Sequence, residues 1–299
     1  MLFLLHTLAM TMLTMAICVS GALAVPAVQI EIEAPGRAFK GEAFPVIVTS
    51  RLPIEDVTVT WLDREVPAKV SEEGGFRRAM VLLGTDVKRT YRTTETIEVR
   101  ATMDGLRSVQ DKAVQIYEKD FPVQRLSVDP NMVQPPKEFW PRIEEEGRIV
   151  GKTLATITAE RFWSQSMQRP TPGRISSIYG LKRVFNDQPR TPHRGLDIAA
   201  PQGEPVLATE NGMVILTGDH YYAGQSVYLD HGQGVISAYM HLSRILVRPG
   251  QMVLRGEAIG HVGSTGRVTG PHLHFGLYVL GQAVDPEPLL GMVLADEGG

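Results

Sequence analysis

The chain has 299 residues, a formal net charge of −3, and hydrophobic and charged fractions of 43% and 21%. That length exceeds one typical domain and points to two modest domains beside any processed segment. The composition excludes a disordered polymer, and the net charge gives no electrostatic reason to expect a nucleic acid as partner.

Residues 1–24 contain no Asp, Glu, Lys or Arg and run through Leu, Met, Ala, Ile and Val to Ala22-Leu23-Ala24. Small residues at Ala22 and Ala24 fit a signal-peptidase site. This predicts a signal peptide over 1–24 and export to the periplasm, envelope or exterior. No Lys or Arg precedes the apolar stretch, which is also long enough to span a bilayer. Membrane contact is therefore expected only if the segment stays uncleaved. Cys18 is the one cysteine, and Ile17 before it is not the small residue a lipoprotein needs. A mature chain starting near Val25 would have no thiol, which removes disulfides, thiolate metal ligands and cysteine nucleophiles together.

Over 25–118 the pattern is that of strands. Val28, Ile30 and Ile32 alternate with polar residues, as do Val57, Val59 and Trp61, and later Ile97 and Val99. Pro35-Gly36, Gly74-Gly75 and Asp104-Gly105 mark turns between them. The spacing predicts a small β-sandwich, immunoglobulin-like in outline, with no catalytic constellation; a spacer or binding module is the expectation. Residues 119–170 read as a connector. Pro130, Pro135, Pro136 and Pro141 break its first part, and Ile143, Val150 and Leu154 then share one helical face, although Gly147 and Gly151 weaken that helix. No chemistry is expected there. Residues 171–299 are glycine-rich with short strands, a compact and mainly β domain.

Three groups in this last domain carry chemistry. In His193-Arg194-Gly195-Leu196-Asp197 an imidazole and a carboxylate lie four apart, and Gly195 permits the tight turn that would bring them together. In Pro271-His272-Leu273-His274-Phe275, strand alternation points His272 and His274 one way and Leu273 and Phe275 into the core. Two imidazoles side by side on a strand are rarely a packing solution. The third group is Tyr239-Met240-His241-Leu242-Ser243, where a regular strand puts Tyr239 and His241 on one face. A catalytic zinc needs three protein ligands from His nitrogens and a carboxylate when thiolates are absent, and hydrolysis needs further groups to move protons. Four histidines and one aspartate meet both needs. Which of His272 and His274 binds metal stays open on these grounds, since both face the same way.

These groups, in this order, resemble the M23 metallopeptidases, the family of lysostaphin and LytM. Gly180, Asp230-His231-Gly232, Val247-Arg248-Pro249-Gly250-Gln251 and Gly263-Ser264-Thr265-Gly266 are similar too, and the resemblance covers about residues 172–290. It implies a lysostaphin-like β-barrel or sandwich domain binding one Zn2+ per chain through His193, Asp197 and His274. It further implies that His272 is the general base on the zinc-bound water, alone or with His241, and that His241 helps stabilise the tetrahedral intermediate. The implied substrate is a peptide bond of a peptidoglycan stem peptide or cross-link, first a D-Ala–diaminopimelate bond and second a Gly–Gly bond. Wall or divisome partners would meet residues 25–118.

The remaining histidines are read as structural at His231 and solvent-facing at His261, while the loop carrying His220, Tyr221 and Tyr222 could line a groove. Three rival readings compete. A non-catalytic LytM-type protein that activates other wall hydrolases is disfavoured because all five site positions are filled. A biotinyl or lipoyl carrier fails because no Lys occurs from Ile198 to the end. Another zinc amide hydrolase is separated only by substrate, which a metal site does not choose.

Overall fold

The computed structural model of the protein describes residues 30–103, 105–126, 135–163 and 166–291. The expected signal peptide at 1–24, with Cys18, lies outside them. Among the described residues no helix is long and apolar enough to cross a membrane. The chain is mainly β, as its alternating patterns predict.

The amino module consists of strands β1 (Glu31–Glu33), β2 (Arg37–Phe39), β3 (Ala43–Ser50), β4 (Asp56–Trp61), β5 (Arg64–Ala68), β6 (Val70–Glu73), β7 (Phe76–Gly84), β8 (Thr94–Met103) and β9 (Leu106–Tyr117). They divide into a sheet of order β1-β3-β7-β6 and a second of order β2-β9-β8-β4-β5. Alternation chooses the inner face. Val57, Val59 and Trp61 are buried while Thr58 and Thr60 between them are half-buried, and β8 repeats this with Ile97, Val99, Ala101 and Met103. Trp61 is fully buried, and its indole N–H donates to the Gly84 carbonyl at 2.8 Å.

The connector supplies β10 (Val123–Leu126) and helix α1 (Trp140–Leu154). Pro141 falls in the first turn of α1, where its missing N–H costs no helical hydrogen bond. The helix buries none of its residues fully. It packs Val150 and Leu154, partly buried, against the cluster that holds Tyr228 and Tyr278, and adds polar contacts. The Arg142 guanidinium donates to the Asp219 carbonyl at 2.7 Å, and Glu146 accepts from the Tyr221 backbone N–H at 2.8 Å.

The carboxy-terminal domain contains β11 (Arg174–Ser177), β12 (Lys182–Phe185), β13 (Gln188–Pro189), β14 (Leu196–Ala199), β15 (Pro205–Leu207), β16 (Gly212–His220), β17 (Gly224–Asp230), β18 (Val235–Ile245), β19 (Met252–Val253), β20 (Ala258–Val262), β21 (Leu273–Val279) and β22 (Gln282–Val284). Its main sheet runs β11-β14-β21-β18-β17-β16-β19, with β20 joining β15 to β18. Val206, Val227, Leu229, Tyr239, Leu242, Ile259, Leu273 and Phe275 fill its core. β10 pairs in parallel with β12, so the connector is built into this domain rather than strung before it.

The two parts are not beads on a string. Leu82 and Leu83 of β7 belong to the same buried cluster as Val235, Leu277, Val279 and Val284. A Cβ on Gly84 would lie 2.6 Å from Val284 Cγ1, so only glycine lets β7 approach β22 this closely. Polar contacts reinforce the seam. Asp86, 4% exposed, accepts from the Arg194 guanidinium and from the Ala283 N–H at 3.1 Å. The Tyr179 hydroxyl donates to the Ala283 carbonyl at 2.7 Å and accepts from the Val87 N–H at 3.0 Å.

Two histidines outside the site complete the picture. His231 is fully buried, its Nδ1–H donating to the Asn211 carbonyl and its Nε2 bonding the Ser237 hydroxyl, each at 2.7 Å. Its expected structural role fits that setting. His261 is half-buried rather than solvent-facing, because β20 is hydrogen-bonded on both sides, by β15 and β18.

Asp86→Ala leaves the Arg194 guanidinium, about two-thirds covered, without its carboxylate and strands the Ala283 N–H. A loss of about 2–3 kcal/mol in urea unfolding is expected, below the ~3–5 kcal/mol of a fully buried pair because Arg194 reaches solvent. For His231, burial pushes the pKa from 6.5 down to about 4. The folded state thus refuses a proton that the unfolded chain accepts. Stability from this group is intact above pH 6.5 and is lost as pH falls towards 4, by roughly 3 kcal/mol in all. The unfolding free energy of His231→Gln should accordingly fall less steeply over that range than that of the unaltered chain.

Candidate active site

A groove of about 1110 Å³ opens between the main sheet, the tip of the β16–β17 hairpin and helix α1. His193, Asp197, His241, His272 and His274 all line it. Asp197 stands on β14 and His274 on β21, and the antiparallel register sets these two residues directly opposite each other. His193 lies just before β14, on a segment pinned at both ends of its peptide. Its N–H donates to the Leu181 carbonyl at 3.0 Å, and its carbonyl accepts from the Gly180 N–H at 2.8 Å.

Three donor atoms converge. His193 Nε2 is 2.9 Å from Asp197 Oδ1, His274 Nδ1 is 2.8 Å from the same oxygen, and the two nitrogens are 3.0 Å apart. The side chain of His193 identifies its own tautomer. Its Nδ1 lies 2.8 Å from the Ile178 carbonyl, which can only accept, so Nδ1 carries the hydrogen and Nε2 a lone pair. That lone pair faces a carboxylate oxygen. Two acceptors at this separation repel unless a cation lies between them. The triangle is close to the ~3.3 Å edges of a tetrahedron with metal–ligand bonds of ~2.0–2.1 Å. Nitrogen, nitrogen and carboxylate oxygen are a donor set that could hold one divalent metal.

Asp197 is 8% exposed. Its second oxygen accepts from Arg183 at 3.1 Å, and Arg183 also donates to the Ser177 hydroxyl at 3.1 Å. Reading the sequence missed Arg183, Ser177 and the Ile178 carbonyl. A lone arginine, a serine hydroxyl and a backbone carbonyl carry no spacing signal; only the folded register shows them behind the site.

His272 and His274 both face the groove, while Leu273 and Phe275 are fully buried, as strand alternation predicts. His272 Nδ1–H donates to the Gly270 carbonyl at 2.9 Å, and its Nε2 lies 3.8 Å from Asp197 Oδ1. His241 reaches the groove by a different route. A regular strand would put it with Tyr239, but Tyr239 points into the core opposite Phe275. Between the pairs Val227↔Tyr239 and Gln225↔Leu242, two residues of β18, Met240 and His241, oppose the single Ser226 of β17. This β-bulge, with His241 at φ +64°, turns the imidazole towards the other histidines. The expected shared face of Tyr239 and His241 is therefore corrected. His241 Nδ1–H donates to the Thr265 carbonyl at 3.0 Å, and its ring centroid lies 4.9 Å from that of His272. Burial, then the neighbouring His274 and His272, push its pKa down to about 3.

Gly195 also needs a correction. Its φ is not positive, so no left-handed turn calls for glycine there. The constraint is space: a Cβ would sit 2.8 Å from His274 Nε2 and 2.5 Å from the Phe275 carbonyl. The connector, expected to have no chemistry of its own, lines the groove with Ile143, Glu146, Gly147 and Val150 of α1. His220 and Tyr222 of the hairpin loop line it as well.

Residues 191–286 match peptidase family M23. The chain carries an M23 peptidase domain. Over 113 residues it is 48% identical to the peptidoglycan DD-endopeptidase ShyA of Vibrio cholerae serotype O1, a match covering 38% of this chain and 26% of that protein. ShyB of the same organism, also named a peptidoglycan DD-endopeptidase, is 47% identical over 144 residues, 48% of this chain and 33% of its own length. The matches thus span only a quarter to a third of these curated relatives. A crystal structure of a candidate M23 peptidase from Pseudomonas aeruginosa aligns with a TM-score of 0.62 at 28% identity, covering 85% of this chain and 95% of that one. The overlap takes in the amino module as well as the M23 domain.

In this M23 domain, Gly195→Ala should push the His274 ring out of the donor triangle without removing any donor. Metal affinity is expected to fall at least tenfold and any hydrolytic rate about a hundredfold, with the unfolding midpoint shifted far less. Titration with a competing chelator, beside thermal unfolding, measures both.

Proposed function

We propose that this chain is an exported, zinc-dependent endopeptidase acting on peptide bonds of peptidoglycan stem peptides or cross-links in the periplasm or cell envelope. One observation carries the reading: the lone pair of His193 Nε2 faces Asp197 Oδ1 at 2.9 Å with His274 Nδ1 beside both. The names of the Vibrio cholerae relatives support peptidoglycan as substrate. His193, Asp197 and His274 are the residues that would hold the metal. When bound, zinc supplies Lewis-acid polarisation of a carbonyl and activation of a water nucleophile.

The chain's own groups complete the chemistry. His272 and His241 each commit Nδ1–H to a backbone carbonyl, so each presents the lone pair of Nε2 to the groove. Both are therefore placed to accept a proton from the nucleophile, and neither can donate through Nε2 until it has done so. His272, nearer the donor triangle, is the first acceptor. The imidazolium it becomes then donates that proton to the leaving amine, and His241 would stabilise the tetrahedral oxyanion once a second proton has been passed to its Nε2. Arg183 holds the second Asp197 oxygen so that the first stays aimed at the metal.

We read the amino module as immunoglobulin-like in outline, supported by strand orders that correspond to ABED against GFC. It is the part of the chain left to meet wall or divisome partners.

Purified chain should contain about one zinc, release peptides from cross-linked peptidoglycan, and lose that activity on chelation. His193→Ala should lose both metal and cleavage. Removing several kcal/mol of transition-state stabilisation corresponds to a rate loss on the order of a thousandfold. Stoichiometric zinc without cleavage of any wall preparation would leave a non-catalytic wall-binding protein, and absence of zinc under metal-replete conditions would sink the enzyme.

A further inference from the structure

The chain has three tryptophans. Trp61 and Trp163 are buried, whereas Trp140 is 55% exposed and belongs to no core cluster among the described residues. Water solvates an indole poorly, so a large exposed one that completes no core needs another reason for its place. Its setting is built. Pro136 is extended at φ −54° and ψ 144°, Lys137–Phe139 form a single helical turn, and Pro141 follows in the first turn of α1. The indole N–H of Trp140 donates to the Pro135 carbonyl at 3.1 Å. That bond satisfies the ring's one polar group within the chain and holds the ring in place. What the ring offers outward is a flat apolar face.

This platform adjoins the groove. Phe139, its chain neighbour, meets Tyr221 at the tip of the β16–β17 hairpin with ring centroids 5.0 Å apart, and Tyr221 meets Tyr222 edge-on, also at 5.0 Å. Tyr222 in turn lines the groove with Ile143 and Glu146 of α1. Arg142 closes the same junction: its guanidinium lies 3.7 Å from an Asp219 carboxylate oxygen, and the two side chains are 44% and 71% exposed. Lys137 and Glu138, both exposed, add one charge of each sign. A charged polymer would find no net charge here to meet. An exposed aromatic face edged by balanced charges suits a neutral ligand with one apolar face and hydrogen-bonding groups around its rim. A pyranose ring has that form. The C–H bonds of one face pack on an indole, while hydroxyls and an acetamide reach polar side chains at the edge.

We propose that Trp140 is the platform for an amino-sugar ring of the glycan strand, so that the saccharide is held at the rim while the attached peptide lies in the groove. The inference rests on the peptidoglycan reading above and extends it from the peptide to the sugar.

Tryptophan emission reads this site directly, because Trp140 is the exposed indole of the three. Titrating the full chain with a short, peptide-free, β-linked oligomer of N-acetylglucosamine should shift its emission to the blue and saturate. By calorimetry Trp140→Phe should retain binding, and Trp140→Ala should bind at least about tenfold more weakly, the loss expected for one aromatic contact. Zinc content and the unfolding midpoint should match in all three proteins. On cross-linked peptidoglycan, Trp140→Ala should raise KM more than it lowers kcat. Neither an emission change nor calorimetric binding by the unaltered chain overturns the saccharide site, and undiminished binding by Trp140→Ala does so too. A blue shift produced by raising protein concentration without sugar also overturns it, by making the occupant a second copy of this chain. Cleavage of peptidoglycan without saccharide binding sinks this inference and leaves the endopeptidase standing; saccharide binding without cleavage of any wall preparation does the reverse.

Discussion

Two acceptors held against one another need a cation, and the architecture around His193 and Asp197 is organised by that requirement. The His193 lone pair is aimed at the carboxylate because Nδ1 is tied to the Ile178 carbonyl, and the segment carrying it is fastened to Leu181 and Gly180. The register of β14 on β21 puts His274 opposite Asp197, and Gly195 keeps the space the His274 ring occupies. Each of these is a backbone feature. The site is therefore as rigid as the sheet that carries it, which is what preorganised metal binding needs.

Burying the Asp197 carboxylate is costly unless it is compensated; Arg183 on its second oxygen supplies part of that compensation, and a cation in the donor triangle would supply the rest. A second local cost lies at His241, a non-glycine residue in left-handed backbone. The bulge that demands this conformation is also what brings the ring to the groove, so strain and placement have the same source.

The amino module reaches the same neighbourhood. Asp86 grips Arg194, whose chain neighbours are His193 and Gly195, and the two parts of the protein share buried apolar residues around Gly84 and Val284. Stability of the seam and geometry of the site are thereby linked through one residue of main chain. Helix α1, resting on the β16–β17 hairpin by polar contacts, adds the opposite wall of the groove.

Local pattern determined a good deal. Period-two alternation put Leu273 and Phe275 inside and His272 and His274 outside, and the same rule placed Val57, Val59 and Trp61 in the amino core, because side-chain direction along a strand depends only on neighbouring residues. The His193 and Asp197 pair was visible as a spacing, and the stripe of Ile143, Val150 and Leu154 as a helix. What tertiary structure decided was everything that depends on a distant partner. The bulge that turns His241 away from Tyr239 exists only against Ser226 of another strand. The need for Gly195 comes from a ring 79 positions further along the chain, Arg183 has meaning only behind Asp197, and Asp86 meets Arg194 across 108 positions. Composition and periodicity report which face a residue presents, whereas the partner that face meets is set by how the sheets pack.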